Sequence, residues 1–174
     1  MEERLKKYIR EIPDFPKPGI LFYDISTLLK DPKALRMTVD SFVWFFSAQH
    51  VDKVVGIESR GFMFAPIVAY NLNAGFVPVR KPGKLPGKTV SQSYDLEYGS
   101  DKIEMHEDGI EEGERVLIVD DLLATGGTAA ATAELVNARG GNVVGFGFIV
   151  ELLFLNGRER ISRYPLDTLI TYTE

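Results

Sequence analysis

Four segments of this chain run apolar without polar alternation: KVVGI (53–57), GFVPVR (75–80), VLIV (116–119) and NVVGFGFIVEL (142–152). A strand with one wet face alternates, whereas a strand that is apolar throughout must be covered on both faces. That condition belongs to a parallel sheet with helices above and below it. The intervening segments supply the helices. Asp31-Pro32 pairs an N-cap residue with a proline at the first helical position and starts a helix running to about Gln49. Residues 62–72 and TAAATAELVNARGG (128–141), the latter closed by Gly140, read as two more. The fold class expected is α/β, a central parallel sheet flanked by helices.

The remaining segments decorate that frame. Residues 3–10 read as a short amphipathic helix ended by the turn PDFPKPG (13–19), and ILFYDIS (20–26) as an extended piece. Residues 81–89 form a loop rich in Gly, Pro and Lys. Residues 90–106 alternate, with Ile103 and Met105 on one face and Glu104 and His106 on the other, which predicts a hairpin turning near Gly99-Ser100. NGRERISR (156–163) reads as a short helix and DTLITYT (167–173) as a last strand. Trp44, in VWFF on the long helix, reads as a core or dimer-interface residue, and His50 as structural.

A length of 174 residues suits one domain with its own core, and nothing marks a repeat or a second domain. The chain has no cysteine, so disulfides and thiolate metal sites are excluded. Residues 1–20 are charged throughout and lack the apolar core of a signal peptide. Together these predict a soluble, cytoplasmic protein. A net charge of -5 argues against a nucleic-acid binder. Against that acidic background Arg80, Lys81, Lys84 and Lys88 form a basic stretch containing no acid.

The stretch VLIVDDLLATGGTA (116–129) carries the chemistry. Asp120 and Asp121 are adjacent like charges next to a buried strand, which is unfavourable unless something binds them. In a parallel sheet, ligands bind beyond the carboxyl ends of the strands, where this pair stands. Ala124, Thr125, Gly126, Gly127 and Thr128 then lead into a helix whose first turn has unpaired N–H groups and a positive dipole end. The glycines permit close approach and the threonines offer hydroxyls, so the loop reads as a phosphate cradle. A lone Gly-Gly would be read as turn geometry, but the flanking carboxylates and threonines point to a ligand. The lysine of an ATP-type loop is missing, as is the GxGxxG spacing of a dinucleotide site. Hydroxyls for the carboxylates and a phosphate for the loop describe a ribose 5-phosphate group.

VLIVDDLLATGGTA resembles the phosphoribosyl pyrophosphate signature of the type I phosphoribosyltransferases. Within that family, FPKPGILFYDISTLLKDP (15–32), GIESRGFMFAP (56–66), VPVRKPGKLPG (77–87) and SYDLEYGSDKIEMH (93–106) resemble, in the same order, the segments of its adenine-specific branch. The resemblance covers about residues 8–155. It implies the family fold as a single domain over residues 1–174, with an N-terminal base-binding hood (about 1–30) and a flexible lid (about 81–106). It also implies transfer of the 5-phosphoribosyl group to adenine, giving AMP and pyrophosphate, with Mg2+ as cofactor and a homodimer as the assembly.

Several roles follow from the resemblance. Ser59, Arg60, Arg80, Lys81, Lys84 and His106 would meet the pyrophosphate, in a loop that in relatives often has a cis or strained peptide at Ser59. The cations suit a leaving group whose charge must be stabilised, although any one lysine taken alone reads as a solvated turn residue. Glu104 would exchange a proton with the purine, and Arg60 would assist catalysis. Alone, Glu104 reads as an exposed strand carboxylate. Phe22 would stack on adenine, with the backbones of Leu21 and Tyr23 reading its edge. Tyr23 stands where many relatives have arginine, so no side-chain role of that arginine carries over. The Mg2+ would be held mainly through the substrate.

Two rival readings remain. A phosphoribosyl pyrophosphate sensor would need a DNA-binding module, and no basic helix-turn-helix segment is available. Specificity for another purine base is disfavoured by the FPKPG…FYD and ESRGF segments.

Overall fold

The structure is a computed structural model and describes residues 1–95 and 100–173. Its centre is a five-stranded sheet of order β4-β3-β7-β8-β9, built from β3 (Lys53–Ile57), β4 (Gly75–Val79), β7 (Arg115–Leu123), β8 (Asn142–Leu152) and β9 (Leu166–Tyr172). Every pairing within it is parallel. Alternate residues of the continuous apolar runs serve opposite faces. Val54, Leu117 and Val119 join one core with Phe42, Phe46, Phe64 and Val68. Val55, Val116 and Ile118 join the other with Ala133, Val136, Phe146 and Phe148. Both halves of the period-2 pattern are therefore buried, as the lack of alternation required.

The first face is covered by α3 (Pro32–Phe46) and α4 (Ala65–Asn71), and α5 (Gly127–Ala138) packs with the second. Asp31 caps α3: its carboxylate accepts from the amides of Lys33 and Ala34, both at 2.9 Å, with Pro32 opening the helix. Val39, Phe42 and Phe46 point inward at helical spacing. Phe46 lies so close to β8 that a Cβ on Gly145 would stand 2.5 Å from its ring, so glycine at 145 is what lets the helix settle on the sheet. Trp44 is on the other side of α3 and is 80% exposed, which corrects its reading as a core residue.

The expected elements are present with shifted limits. The long helix ends at Phe46 and passes into a 3-10 turn (Ser47–Gln49), which stops where His50 takes a left-handed conformation. The helix expected over 62–72 is a 3-10 turn (Arg60–Met63) followed by α4, with Pro66 in its first turn. At the N-terminus α1 (Glu2–Lys6) is shorter than expected. Arg10 to Pro13 instead form β1, which pairs antiparallel with β2 (Leu21–Asp24) and is followed by α2 (Ser26–Leu29). The pairing is pinned by Arg10, which donates to the Asp24 carboxylate through Nε at 3.0 Å.

Between β4 and β7 lies the hairpin of β5 (Thr89–Asp95) and β6 (Ser100–His106). Gly99, half of the expected turn, lies outside the described residues. Ile103 and Met105 are buried in the second core, in the alternation expected. The hairpin's closing strand is thus anchored to the body of the protein. No helix among the described residues is long and apolar enough to cross a membrane.

Replacing Asp31 by Ala removes the carboxylate oxygen that accepts from two amides at the start of α3. The variant is expected to lose about 1 kcal/mol of stability in urea unfolding. An unchanged midpoint would show that the cap is dispensable.

Candidate active site

The ends of β3, β4 and β7 meet around a cavity of about 280 Å³ lined by residues including Glu58, Ser59, Arg60, Lys81, Asp120, Asp121 and Thr128. A smaller cavity of about 90 Å³ adjoins it, lined by Ala124, Thr125, Gly126, Gly127 and Thr128. Asp120, Leu122 and Thr128 border both. One ligand with a diol at the first and a phosphate at the second would span them. The smaller cavity sits at the start of α5, where Gly126 is left-handed (φ 78°) and no side chain caps the helix. The first-turn N–H groups and the dipole's positive end are therefore directed toward an anion.

The two aspartates differ in surroundings. Asp121 is only 5% exposed and lies 2.8 Å from the Arg60 guanidinium, and Asp120 accepts the Asp121 amide at 2.9 Å. Burial, and next the Asp121 charge, push the Asp120 carboxyl well above the usual carboxylate range. Burial raises Asp121 also, against the Arg60 guanidinium, which lowers it. Part of what tolerates the paired carboxylates is thus a cation from the loop after β3. Arg60 also stands over the Phe22 ring, 5.0 Å from its centroid, at a distance suited to a cation–π contact.

Glu58, which sequence reasoning passed over, organises the basic stretch. Its carboxylate accepts from Arg80 Nε and Nη2 (both 3.2 Å), from Lys84 Nζ (2.8 Å) and from the Lys81 amide (3.0 Å). Burial would raise its pKa, but the hydrogen bonds from Lys84, Arg80 and the Lys81 amide prevail and hold it at about 2. The peptide between Glu58 and Ser59 is cis. The signal available in the sequence was one acid beside Ser59-Arg60, opposite a stretch with none.

The other expected residues are placed as follows. The Lys81 ammonium is engaged by Asp101 and by the Tyr94 hydroxyl (2.9 Å). Glu104 pairs its backbone with Arg80, and its carboxylate accepts the Gly83 amide at 3.0 Å. His106 donates from Nε2 to the Pro86 carbonyl at 2.9 Å and lines a separate cavity with Lys88 and Arg139, away from Ser59 and Asp120. In β2, Leu21 is exposed, and Phe22 is half-buried with its ring edge-to-face on Phe15. Tyr23 is buried and stacks on Tyr172 at 3.8 Å. Its side chain thus faces the core.

Residues 26–169 match the phosphoribosyl transferase domain family, and the chain belongs to that family. The adenine phosphoribosyltransferase of Koribacter versatilis is 58% identical over 98% of this chain and 93% of its own length. The crystal structure of the Rhodothermus marinus adenine phosphoribosyltransferase superposes with a TM-score of 0.94 at 53% identity, covering 98% of this chain and 97% of that one. The Saccharomyces cerevisiae enzyme, complexed with an imino-altritol bisphosphate and adenine, gives 0.91 at 42% identity, with 96% and 97% covered. Within the family the chain is therefore one of the adenine phosphoribosyltransferases, which move a phosphoribosyl group from phosphoribosyl pyrophosphate to adenine.

The Glu58 pairing has a measurable signature. Because the folded carboxyl titrates at about 2, below its ordinary 4.5, its charge stabilises the folded state above that ordinary value. The contribution fades as pH falls from there through about 2. Glu58→Gln is expected to melt at a lower temperature than the parent at pH 7, with the gap narrowing as pH drops below the ordinary value. A gap that stays constant into acid would assign the loss to packing.

Proposed function

We propose that the joined cavities bind phosphoribosyl pyrophosphate with its 5-phosphate in the 124–128 loop and its ribose hydroxyls toward Asp120 and Asp121. The observation that supports this is the shared border of the two cavities at Asp120, Leu122 and Thr128. The diphosphate then meets Ser59, Arg60, Arg80, Lys81 and Lys84, with His106 approaching from its neighbouring cavity. Arg80 and Lys84 exchange Glu58 for the diphosphate oxygens when it enters.

Adenine lies against Phe22, its edge read by the Leu21 and Tyr23 backbones. As the bond from C1 of the ribose to the diphosphate breaks, N9 of adenine forms the new bond and its proton passes to the Glu104 carboxylate. Arg60 stabilises the charge collecting on the leaving group. Residues 81–106 cover the sugar while it is cation-like and exclude water. A Mg2+ ion neutralises the departing diphosphate when bound. Among the described residues no cluster of three or more His, Asp or Glu offers an all-protein metal site; an ion held mainly through the substrate would have Asp120 and Asp121 as the carboxylates nearest the ribose hydroxyls.

The working assembly in this reading is a cytoplasmic homodimer. Met63, Ile67 and Tyr70, the last 85% exposed, present an apolar face directly after the Ser59-Arg60 loop and support a dimer contact there.

Incubation with phosphoribosyl pyrophosphate, Mg2+ and each of adenine, hypoxanthine, guanine and xanthine should yield AMP alone. Another nucleotide would discard the base assignment. Glu104→Gln retains an acceptor for the Gly83 amide and removes the proton acceptor. It is expected to lower kcat at least about tenfold, a general base being worth ~10²–10⁴, with KM for both substrates little changed. Undiminished turnover would take Glu104 out of the reaction.

A further inference from the structure

The segment after β8 makes a contact that the phosphate loop depends on. A Cβ on Gly126 would lie 2.3 Å from the Gly157 carbonyl oxygen, and one on Gly157 would lie 2.1 Å from that of Ala124. Here backbone rests on backbone, and both positions exclude any side chain. Gly157 follows the left-handed Asn156 and opens a 3-10 turn (Gly157–Ile161) whose Ile161 is buried in the same core as Leu123, Ala129 and Phe148. Neither Gly157 nor Arg158 borders the small cavity. The turn supports the loop without lining the space a ligand would fill.

The turn is fastened by one ion pair. Arg158 donates from Nε at 2.6 Å and from Nη2 at 2.5 Å to the two oxygens of Glu151. Glu151 is 1% exposed and also accepts from the Thr168 hydroxyl at 3.0 Å. In the sheet it stands level with Leu123, the residue directly before Ala124. A fork-to-carboxylate pair of this kind fixes direction as well as distance. The brace is therefore anchored one residue from where the phosphate loop departs, and it touches the loop at Ala124 and Gly126.

We propose that Gly157, Arg158 and Glu151 are positioning residues for the 5-phosphate. They hold the 124–126 backbone in the shape that aims the α5 amides, and they have no part in adenine binding. The inference rests on the assignment of residues 124–128 to the phosphate. A phosphate site built from backbone N–H groups has no side chain that reorients to correct a shifted main chain, so its affinity follows backbone placement directly.

The test uses ribose 5-phosphate binding by calorimetry and steady-state kinetics on Gly157→Ala and Arg158→Lys, with melting temperatures recorded for both. Lysine keeps the charge and loses the fork, so it serves as the folded variant if Gly157→Ala does not accumulate. Affinity for ribose 5-phosphate and KM for phosphoribosyl pyrophosphate should worsen by about tenfold to a hundredfold for Gly157→Ala and by less for Arg158→Lys. KM for adenine should be unchanged in both. Equal losses for the two substrates, or none in Arg158→Lys, would overturn the proposal. The variant Thr125→Asp, which puts a carboxylate into the small cavity without altering the brace, separates the two layers. If it leaves ribose 5-phosphate affinity intact, the phosphate-loop assignment itself fails. If it weakens that affinity while the brace variants do not, only the brace fails.

Discussion

Asp121 is a buried carboxylate at the end of a parallel strand, and such a group is stable only with a partner. Arg60 is that partner at 2.8 Å. The same guanidinium lies over Phe22. One side chain thus links the central strand β7, the loop after β3 and the N-terminal hood. These are the three parts that would hold the ribose, the pyrophosphate and the base. Any displacement of Arg60 leaves a buried charge beside Asp120, so the loop after β3 is held to the sheet by an electrostatic requirement as well as by packing. The proximity of these three parts follows from where β7 places its carboxylates.

What the sequence made legible was what has a local pattern. The unalternating runs indicated a sheet buried on both faces, Asp31-Pro32 marked the start of α3, and the spacing of Ile103 and Met105 identified the inner face of the hairpin. The turn from β7 into α5 was readable because Gly126-Gly127 marks a strand-to-helix joint, and the structure has Gly126 left-handed there with no side chain capping the helix. Strand β1 was not readable: only Ile12 of its four residues is even partly buried, and its conformation comes from pairing with β2 rather than from its own side chains. The core alternative for Trp44 failed because an aromatic residue within an apolar run has no mark that tells the outer face of the helix from the inner one. Glu58 and Arg158 escaped for a different reason. Each acts through partners distant in sequence, Arg80 and Lys84 in one case and a strand carboxylate in the other, and one charge among many carries no periodicity.

The arrangement of charge bears on how a polyanion would be selected. Around the larger cavity and its rim stand Glu58, Asp120 and Asp121 against Arg60, Arg80, Lys81 and Lys84, and each of these cations already has an acceptor: Asp121, Glu58, Asp101 and Glu58 in turn. A ligand anion therefore enters by exchange. Its gain is the difference between its own contacts and the carboxylate contacts it replaces, and that difference is small for a single carboxylate or phosphate. A diphosphate presents several charged oxygens in one connected group and satisfies Arg80 and Lys84 together. Pre-pairing would thus lower affinity for all anions while favouring a multidentate one, so the cavity would reject monophosphates by competition from its own glutamate. The single-phosphate end of the ligand would be met differently, at the α5 amides, which no side chain caps, so that its affinity would follow backbone geometry.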